Sequence, residues 1–143
     1  LNCTGELDKV LRSLPDLLTE GGVATLVILP KFCLWESLLI FKGMFKTATR
    51  RWFSKNGVKA HVEGTHFTCW YYNPSYVVKQ VKGLMEVLSI EGLCTIVPPS
   101  YIEHFAERHP RAYRFLKKRE NKLRFSRPWR GIGDYYIISL RKK

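Results

Sequence analysis

The fold class is indicated by the stretch Gly21-Gly22-Val23-Ala24-Thr25-Leu26-Val27-Ile28-Leu29. Six of the seven residues from Val23 to Leu29 are apolar, and apolar and polar residues do not alternate. This pattern is typical of a strand that is buried on both faces of a sheet covered by helices. The two glycines before the strand predict the end of a helix, because glycine readily adopts the left-handed conformation that closes one.

Apolar residues at helical spacing precede the glycine pair. They are Leu7, Val10, Leu11, Leu14, Leu17 and Leu18. Residues 5–20 are therefore predicted to form an amphipathic helix, kinked at Pro15. A helix, a glycine turn and a buried strand together make half of an α/β unit, so we predict an α/β fold with a mixed sheet.

The remainder of the chain continues to mix helical and strand patterns. Strands are predicted over residues 58–63 and 66–72, which form a hairpin, and over residues 87–97 and 135–140. Asn73 and Pro74 are suited to begin a short helix that runs to about residue 83. Further helical segments, broken at Pro110, separate the last two strands.

The segment from Cys33 to Phe53 is long and aromatic, and it is basic at its far end. It predicts one or two helices, with a break at Gly43. Its cations are Lys42, Lys46, Arg50 and Arg51. Three interpretations are open: a helix packed on its own domain, a lid over a pocket, or a helix that lies in a membrane interface.

Composition limits the class of protein. A chain of 143 residues that is 45% hydrophobic and 13% aromatic indicates one folded domain and excludes disordered or low-complexity classes. The longest apolar run, Val23 to Pro30, is far shorter than the ~20 residues of a membrane span, and no secretory signal is expected.

The four cysteines lack the paired spacing of a zinc site, so we expect no metal site. We also expect their thiols to be reduced, as in the cytoplasm.

The formal net charge of +12 is unevenly distributed. Between Arg108 and Arg130 the chain has ten basic residues and one acid, Glu120. Such a block favours anionic partners, nucleic acid among them, although a solvated helix face gives the same pattern and charge alone carries no sequence specificity. A non-enzymatic basic module that binds nucleic acid is therefore one candidate function.

Aromatic residues offer more chemistry than the acids, which are scattered without a catalytic spacing. The sequence has no phosphate-binding loop, zinc-protease motif or nucleophile elbow. Phe32 and Trp35 follow the first predicted strand, and Tyr101 follows the strand over residues 87–97 in the same way. Ligands of α/β sheets bind at the carboxyl ends of strands. An aromatic pocket for an apolar or planar substrate is one interpretation, and core packing is the other.

Seven short segments, taken in order, carry a resemblance to a known family. They are Leu1-Asn2-Cys3, Leu18-Thr19-Glu20-Gly21-Gly22, Val23–Pro30, Phe32-Cys33-Leu34-Trp35-Glu36, Tyr71-Tyr72-Asn73-Pro74-Ser75, Val97-Pro98-Pro99-Ser100-Tyr101 and Gly133-Asp134-Tyr135-Tyr136-Ile137-Ile138. Together they resemble class I S-adenosylmethionine-dependent methyltransferases, in particular a bacterial subgroup that acts on small molecules. The resemblance covers nearly the whole chain and rests on the order of the segments. Glu20 stands where the family commonly has proline.

The resemblance implies that residues 1–143 form a single domain, the carboxyl-terminal half of a longer methyltransferase domain. The chain would supply the last three strands of a partial Rossmann-like sheet, the final strand antiparallel, with helices and an inserted β-hairpin. The glycine-rich loop and the acidic residue that hold S-adenosylmethionine in the family are not found in this sequence. We therefore expect the chain alone to bind this cofactor weakly or not at all. Leu1 in place of Met agrees with a start inside a longer protein.

The resemblance also suggests roles for residues. Asn2 directly follows the family's fourth strand and is expected near the cofactor. A pocket for a small-molecule methyl acceptor is expected to be shaped by Phe32, Trp35, Tyr72 and Tyr101. No catalytic residue is implied, because methyl transfer needs mainly the alignment of acceptor and methyl group.

A sheet without its first half would leave the strand Val23–Leu29 with an unpaired apolar edge. We therefore expect the chain to form a homodimer or a swapped dimer through this strand, or to lie beside its missing half.

Overall fold

The computed structural model describes residues 1–54, 56–62, 64–99 and 102–143, and its architecture is α/β. In chain order the elements are α1 (Leu7–Ser13), β1 (Val23–Ile28), α2 (Leu34–Ser37), α3 (Phe45–Thr49), β2 (Val58–Val62), β3 (Thr65–Cys69), α4 (Pro74–Val81), β4 (Met85–Leu93), α5 (Phe105–Arg108), α6 (Pro110–Leu123) and β5 (Tyr135–Lys142). Single 3₁₀ turns span Leu14–Leu17, Leu38–Lys42 and Trp129–Gly131. The predicted combination of helices and strands is confirmed. The predicted mixed sheet is wrong for the described residues, in which every strand is antiparallel to the strand it pairs with.

Three strands form the main sheet in the order β1-β5-β4. β5 is antiparallel to both neighbours, with Val23 opposite Arg141 and Leu93 opposite Tyr135. β1 and β4 therefore run in the same direction on either side of β5. The final strand is antiparallel, as predicted, and β2 and β3 form the predicted hairpin as a separate two-stranded sheet.

The core lies between one face of the main sheet and the helices α1 and α4. Its completely buried side chains include Leu7, Leu11, Val77, Val81, Tyr136, Ile138 and Leu140. They are four residues apart on the helices and two residues apart on β5, so each element turns one side toward the core. The sequence pattern of these elements thus accounts for the packed side of the sheet.

The other face of β1 is exposed. Val23 and Val27 are 50% and 51% exposed, whereas Ile28 is buried. Within the described ranges β1 pairs with β5 alone, so it is also an edge strand. The prediction that this strand is buried on both faces is wrong for this chain, because α1 and α4 pack on the same side of the sheet.

Local backbone geometry explains where two elements end. α1 stops before Pro15 and continues as a 3₁₀ turn rather than as a kinked helix, because proline cannot donate the backbone hydrogen bond that an α-helix needs there. β4 ends before the predicted range of residues 87–97 does, because Cys94 has a positive φ of 51° and turns the chain away. Gly21 has a φ of 70°, which confirms the left-handed turn predicted before β1.

Candidate functional site

A cleft of ≈ 480 Å³ lies where β1 ends, between the N-terminal loop and the segment that follows β3. Its walls carry the aromatic residues Trp70, Tyr71, Tyr72 and Tyr76 and the two lysines Lys31 and Lys79. The rings of Tyr72 and Tyr76 stack with their centroids 5.4 Å apart. This location, at the carboxyl end of a strand, is the usual place for a ligand in an α/β sheet.

Asn2 and Tyr72 hold the walls of this cleft together. The amide oxygen of Asn2 accepts from the backbone N–H of Leu29 at 3.0 Å, and its nitrogen donates to the carbonyl oxygens of Leu29 and Trp70. The hydroxyl of Tyr72 donates to the carbonyl oxygen of Thr4 at 2.6 Å. The backbone N–H of Tyr72 donates to the carbonyl oxygen of Leu29 at 3.0 Å. Leu29 is therefore the point where three segments of the cleft meet.

The side chain of Asn2 acts here as a link between backbone segments. It is buried, and both ends of its amide are engaged by backbone groups. S-adenosylmethionine needs free polar groups for its ribose and methionine parts, and the amide of Asn2 offers none in this arrangement. Asn2, the residue expected near the cofactor, therefore does not fit that role in this arrangement, and a contact between Asn2 and the cofactor stays a prediction.

The other predicted pocket residues lie elsewhere or are not described. Phe32 stacks on Trp52, with ring centroids 5.8 Å apart and an angle of 20° between the planes. Trp35 is half-buried, and its indole nitrogen has no hydrogen-bond partner in the described part of the chain. Tyr101 lies outside the described residues. Of the predicted residues, the structure brings Asn2 and Tyr72 together at the cleft.

Four charged side chains form a mostly buried cluster beside the end of β1, which we call the ion cluster (Glu36, Arg50, Arg51 and Asp134). Arg51 donates to the carboxylates of Glu36, at 2.7 Å, and Asp134, and to the backbone carbonyl of Asp134 at 3.0 Å. Arg50 donates to both carboxylate oxygens of Glu36, at 2.6 and 3.1 Å. Glu36, Arg51 and Asp134 are only 2%, 3% and 5% exposed. The two positive and two negative charges balance within the cluster.

The charges in the ion cluster stabilise one another against the cost of burial. Burial raises the pKa of Glu36, but the hydrogen bonds and charges of Arg50 and Arg51 outweigh it and hold that pKa below its usual value. The guanidinium of Arg51 also lies 5.1 Å from the ring centre of Tyr71. Burial raises the pKa of Tyr71 to about 12 and also raises the pKa of the Cys33 thiol. The Tyr71 hydroxyl and the Cys33 thiol therefore stay protonated at neutral pH. The hydrogen bonds of the ion cluster connect α2, the end of α3 and the start of β5, so the cluster acts as a structural link.

A second buried carboxylate joins α6 to the end of β4. The two carboxylate oxygens of Glu120 accept from four consecutive backbone N–H groups, those of Cys94, Thr95, Ile96 and Val97, at 2.7 to 3.1 Å. Consecutive N–H groups that converge in this way form an anion-binding concavity. Here the anion is a side chain of the same protein, so Glu120 anchors the basic helix to the sheet.

Comparison with known proteins adds no assignment. No protein-family model matches this chain, and no curated protein matches it. Within residues 1–54, 56–62, 64–99 and 102–143, no three His, Cys, Asp or Glu side chains are grouped so that they could hold a metal ion. None of the helices in those ranges is long and apolar enough to cross a bilayer. A functional proposal therefore depends on the geometry of the cleft and the sheet.

Glu36→Gln is expected to reduce the sensitivity of the fold to acid. In the folded protein the pKa of Glu36 lies below the unfolded value of 4.5. The stability that this group contributes is therefore present above pH 4.5 and is lost as the pH falls through the lower folded pKa. Urea unfolding at pH 7 and at several values below pH 4.5 measures this loss. The exposed substitution Glu107→Gln should keep the wild-type dependence, and an identical acid loss in wild type and Glu36→Gln would contradict the assignment.

Proposed function

We propose that this chain is the carboxyl-terminal, substrate-side part of an S-adenosylmethionine-dependent methyltransferase that acts on a small molecule. The proposal includes a preceding cofactor-binding part, which activity would require. The observation that carries it is the arrangement of the main sheet, in which β1 and β4 run in the same direction and the final strand, β5, is antiparallel to both. The family resemblance implies this reversal of the last strand.

The exposed side of β1 also supports the proposal. Val23 and Val27 are each about half exposed, although strands of α/β sheets are normally covered by helices on both faces. In the described residues, the edge of β1 that faces away from β5 is unpaired and offers backbone hydrogen-bonding groups to another strand. A preceding half of the domain would supply both that strand and helices that cover the exposed face of β1. A second copy of this chain would pair with the edge of β1 but would leave its exposed face uncovered.

We assign the methyl acceptor to the aromatic cleft. Its rings suit a planar acceptor, and Lys31 and Lys79 at its walls favour one that carries negative charge. S-adenosylmethionine would supply an activated methyl group from the preceding part. The role of this chain would then be to bind and orient the acceptor, which accounts for much of the rate of a direct displacement.

Tyr76→Ala is expected to lower kcat/KM for methyl transfer about tenfold, because it removes one wall of the stacked pair Tyr72 and Tyr76. The assay uses the protein together with the residues encoded before Leu1 and S-adenosylmethionine labelled in its methyl group, and it follows label in the small-molecule fraction. Tyr113→Ala, a half-buried tyrosine on α6, is the control and should keep wild-type activity. The proposed function is contradicted if the residues before Leu1 contain no glycine-rich loop after a predicted strand, or if no label is transferred.

The exposed side of α6 favours a second candidate function, the binding of nucleic acid. Arg114, Lys117 and Lys118 are exposed, and none of them has an ion-pair partner among the residues that the structure describes. Phe115, 57% exposed, lies on the same helix and could stack on a base. Free cations beside an exposed aromatic ring are typical of surfaces that bind single strands.

Charge reversal tests this second function. Lys117→Glu combined with Lys118→Glu is expected to weaken oligonucleotide binding and to reduce the slope of log K against log salt by about 1.4, since each phosphate contact to a single strand contributes about 0.7. Fluorescence anisotropy at several salt concentrations measures both quantities. Lys59→Glu combined with Lys143→Glu gives the same change in net charge away from α6. Equal binding by the two double variants would exclude α6 as a nucleic-acid interface.

A further inference from the structure

A short helical tip extends from the domain between α2 and α3. We define the tip as residues 38–46, in which the 3₁₀ turn Leu38–Lys42 leads through Gly43 into the start of α3. All six residues from Phe41 to Lys46 are exposed. Gly43 has a φ of 74°, which allows the chain to reverse, and a Cβ atom there would meet nothing within 4 Å. The end of the tip therefore lies in solvent.

The exposed surface of the tip is unusually apolar. Phe41 is 87% exposed, Phe45 62% and Met44 48%. Exposed apolar residues that occur singly need no explanation, but three within five residues at the end of one projection indicate a surface that binds something. Packing within the described residues does not account for these three side chains.

The charge around the tip indicates the kind of partner. From Ser37 to Ser54 the sequence has four cations and no acidic residue. Arg50 and Arg51 are neutralised in the ion cluster, whereas Lys42 and Lys46 have no ion-pair partner in the described ranges. The tip thus presents two free positive charges, one next to Phe41 and one next to Phe45. Exposed apolar rings beside cations complement an anionic surface that has an apolar interior.

The base of the tip is held firmly. Glu36, just before the tip, binds Arg50 and Arg51, just after α3, and Arg51 in turn binds Asp134 at the start of β5. This ion cluster connects both ends of the segment to the sheet. A tip that is fixed in this way loses little conformational entropy when it binds, so a small apolar contact is sufficient for measurable affinity.

From these observations we propose that the tip inserts into the interface of a bilayer that contains anionic lipid. Phenylalanine side chains would enter the boundary between headgroups and acyl chains, and the two lysines would bind the anionic headgroups. A second copy of this chain fits less well as the occupant, because it carries a net charge of +12 and would bring cations toward cations. The inference is independent of the proposed methyltransferase activity.

Vesicle co-sedimentation of the 143-residue chain tests the proposal. We expect binding to vesicles of mixed phosphatidylcholine and phosphatidylglycerol, and much weaker binding to phosphatidylcholine alone. Phe41→Ser combined with Phe45→Ser should weaken the binding by about tenfold or more, because it removes the apolar contact. Lys42→Gln and Lys46→Gln should each weaken binding to the mixed vesicles about fivefold, and should leave binding to phosphatidylcholine unchanged. Leu17→Ser combined with Leu84→Ser removes two exposed leucines elsewhere and should have no effect.

Three results would overturn the proposal. The first is that wild-type protein binds neither kind of vesicle. The second is that the double phenylalanine variant binds as wild type does while Lys117→Gln combined with Lys118→Gln loses binding, which would assign the lipid contact to α6. The third is that wild-type protein sediments as a dimer and the phenylalanine variant as a monomer, without vesicle binding, which would make the tip a subunit interface. Because the substituted side chains are exposed, circular dichroism should show the same folded structure for each variant.

Discussion

Arg51→Ala is expected to lower the free energy of unfolding by about 3–5 kcal/mol. The guanidinium of Arg51 binds the carboxylates of Glu36 and Asp134, and all three side chains are almost completely buried. Without Arg51, Asp134 keeps no cation within ion-pair distance among the described residues, and Glu36 keeps Arg50 alone. The large expected cost comes from leaving a charge buried without its partner, and exceeds the net value of the original pair.

Urea unfolding at pH 7 measures this effect, and the neighbouring arginine supplies a matched control. Arg50 binds the same Glu36, but its side chain is 45% exposed. Arg50→Ala should therefore cost no more than about 1 kcal/mol, the value typical of pairs that remain in contact with water. Arg51→Lys should fall between the two, because lysine restores a charge without the second donor. Equal losses for Arg51→Ala and Arg50→Ala would show that the ion cluster does not carry the stability assigned to it.

Glu120→Ala is expected to lower the free energy of unfolding by at least about 3 kcal/mol, since four backbone donors lose a charged acceptor at once. The loss should be local as well as global, because Glu120 fixes α6 to the end of β4. Hydrogen exchange of the Thr95 and Val97 amides should accelerate more than that of amides in β5. Glu120→Gln keeps one accepting oxygen and should cost less.

The control for Glu120 is another glutamate of the basic region. Glu107 has a side chain that is 78% exposed and makes one surface hydrogen bond, with Nδ1 of His104 at 2.8 Å. Glu107→Ala should change the unfolding free energy by less than about 1 kcal/mol. If Glu120→Ala is equally mild, or if the Thr95 and Val97 amides exchange as in wild type, the anchoring role of Glu120 is wrong.

The secondary structure and its order could be predicted because they depend on local patterns. The glycine turn at Gly21, the alternation in β2 and the proline that begins α4 each act within a few residues, and the structure has an element at each place. The cover of β1 could not be predicted in the same way. A run of apolar residues indicates what could be buried, but what covers Val23 and Val27 depends on parts of the fold that the strand does not encode.

The candidate site could be predicted only in part, because some of its residues are placed by local patterns and others by contacts distant in sequence. Tyr72 lies in the cleft because it comes shortly after β3, where its backbone N–H donates to the carbonyl oxygen of Leu29, just beyond β1. The pairing of Arg51 with Asp134 spans 83 residues and leaves no local signal beyond a charged residue beside an apolar segment. In the sequence, Glu120 is the one acid in a basic run, which does not indicate a buried anchor. Its four backbone donors come from the turn that begins at Cys94, which is distant in sequence.

We propose that this chain is one part of a domain that binds S-adenosylmethionine. The most direct test is calorimetric titration of S-adenosylmethionine into two proteins, the 143-residue chain and the same chain extended by the residues encoded before Leu1. We expect saturable binding by the extended protein and little or none by the 143-residue chain. Absence of binding by the extended protein, or equally tight binding by the 143-residue chain, would contradict it.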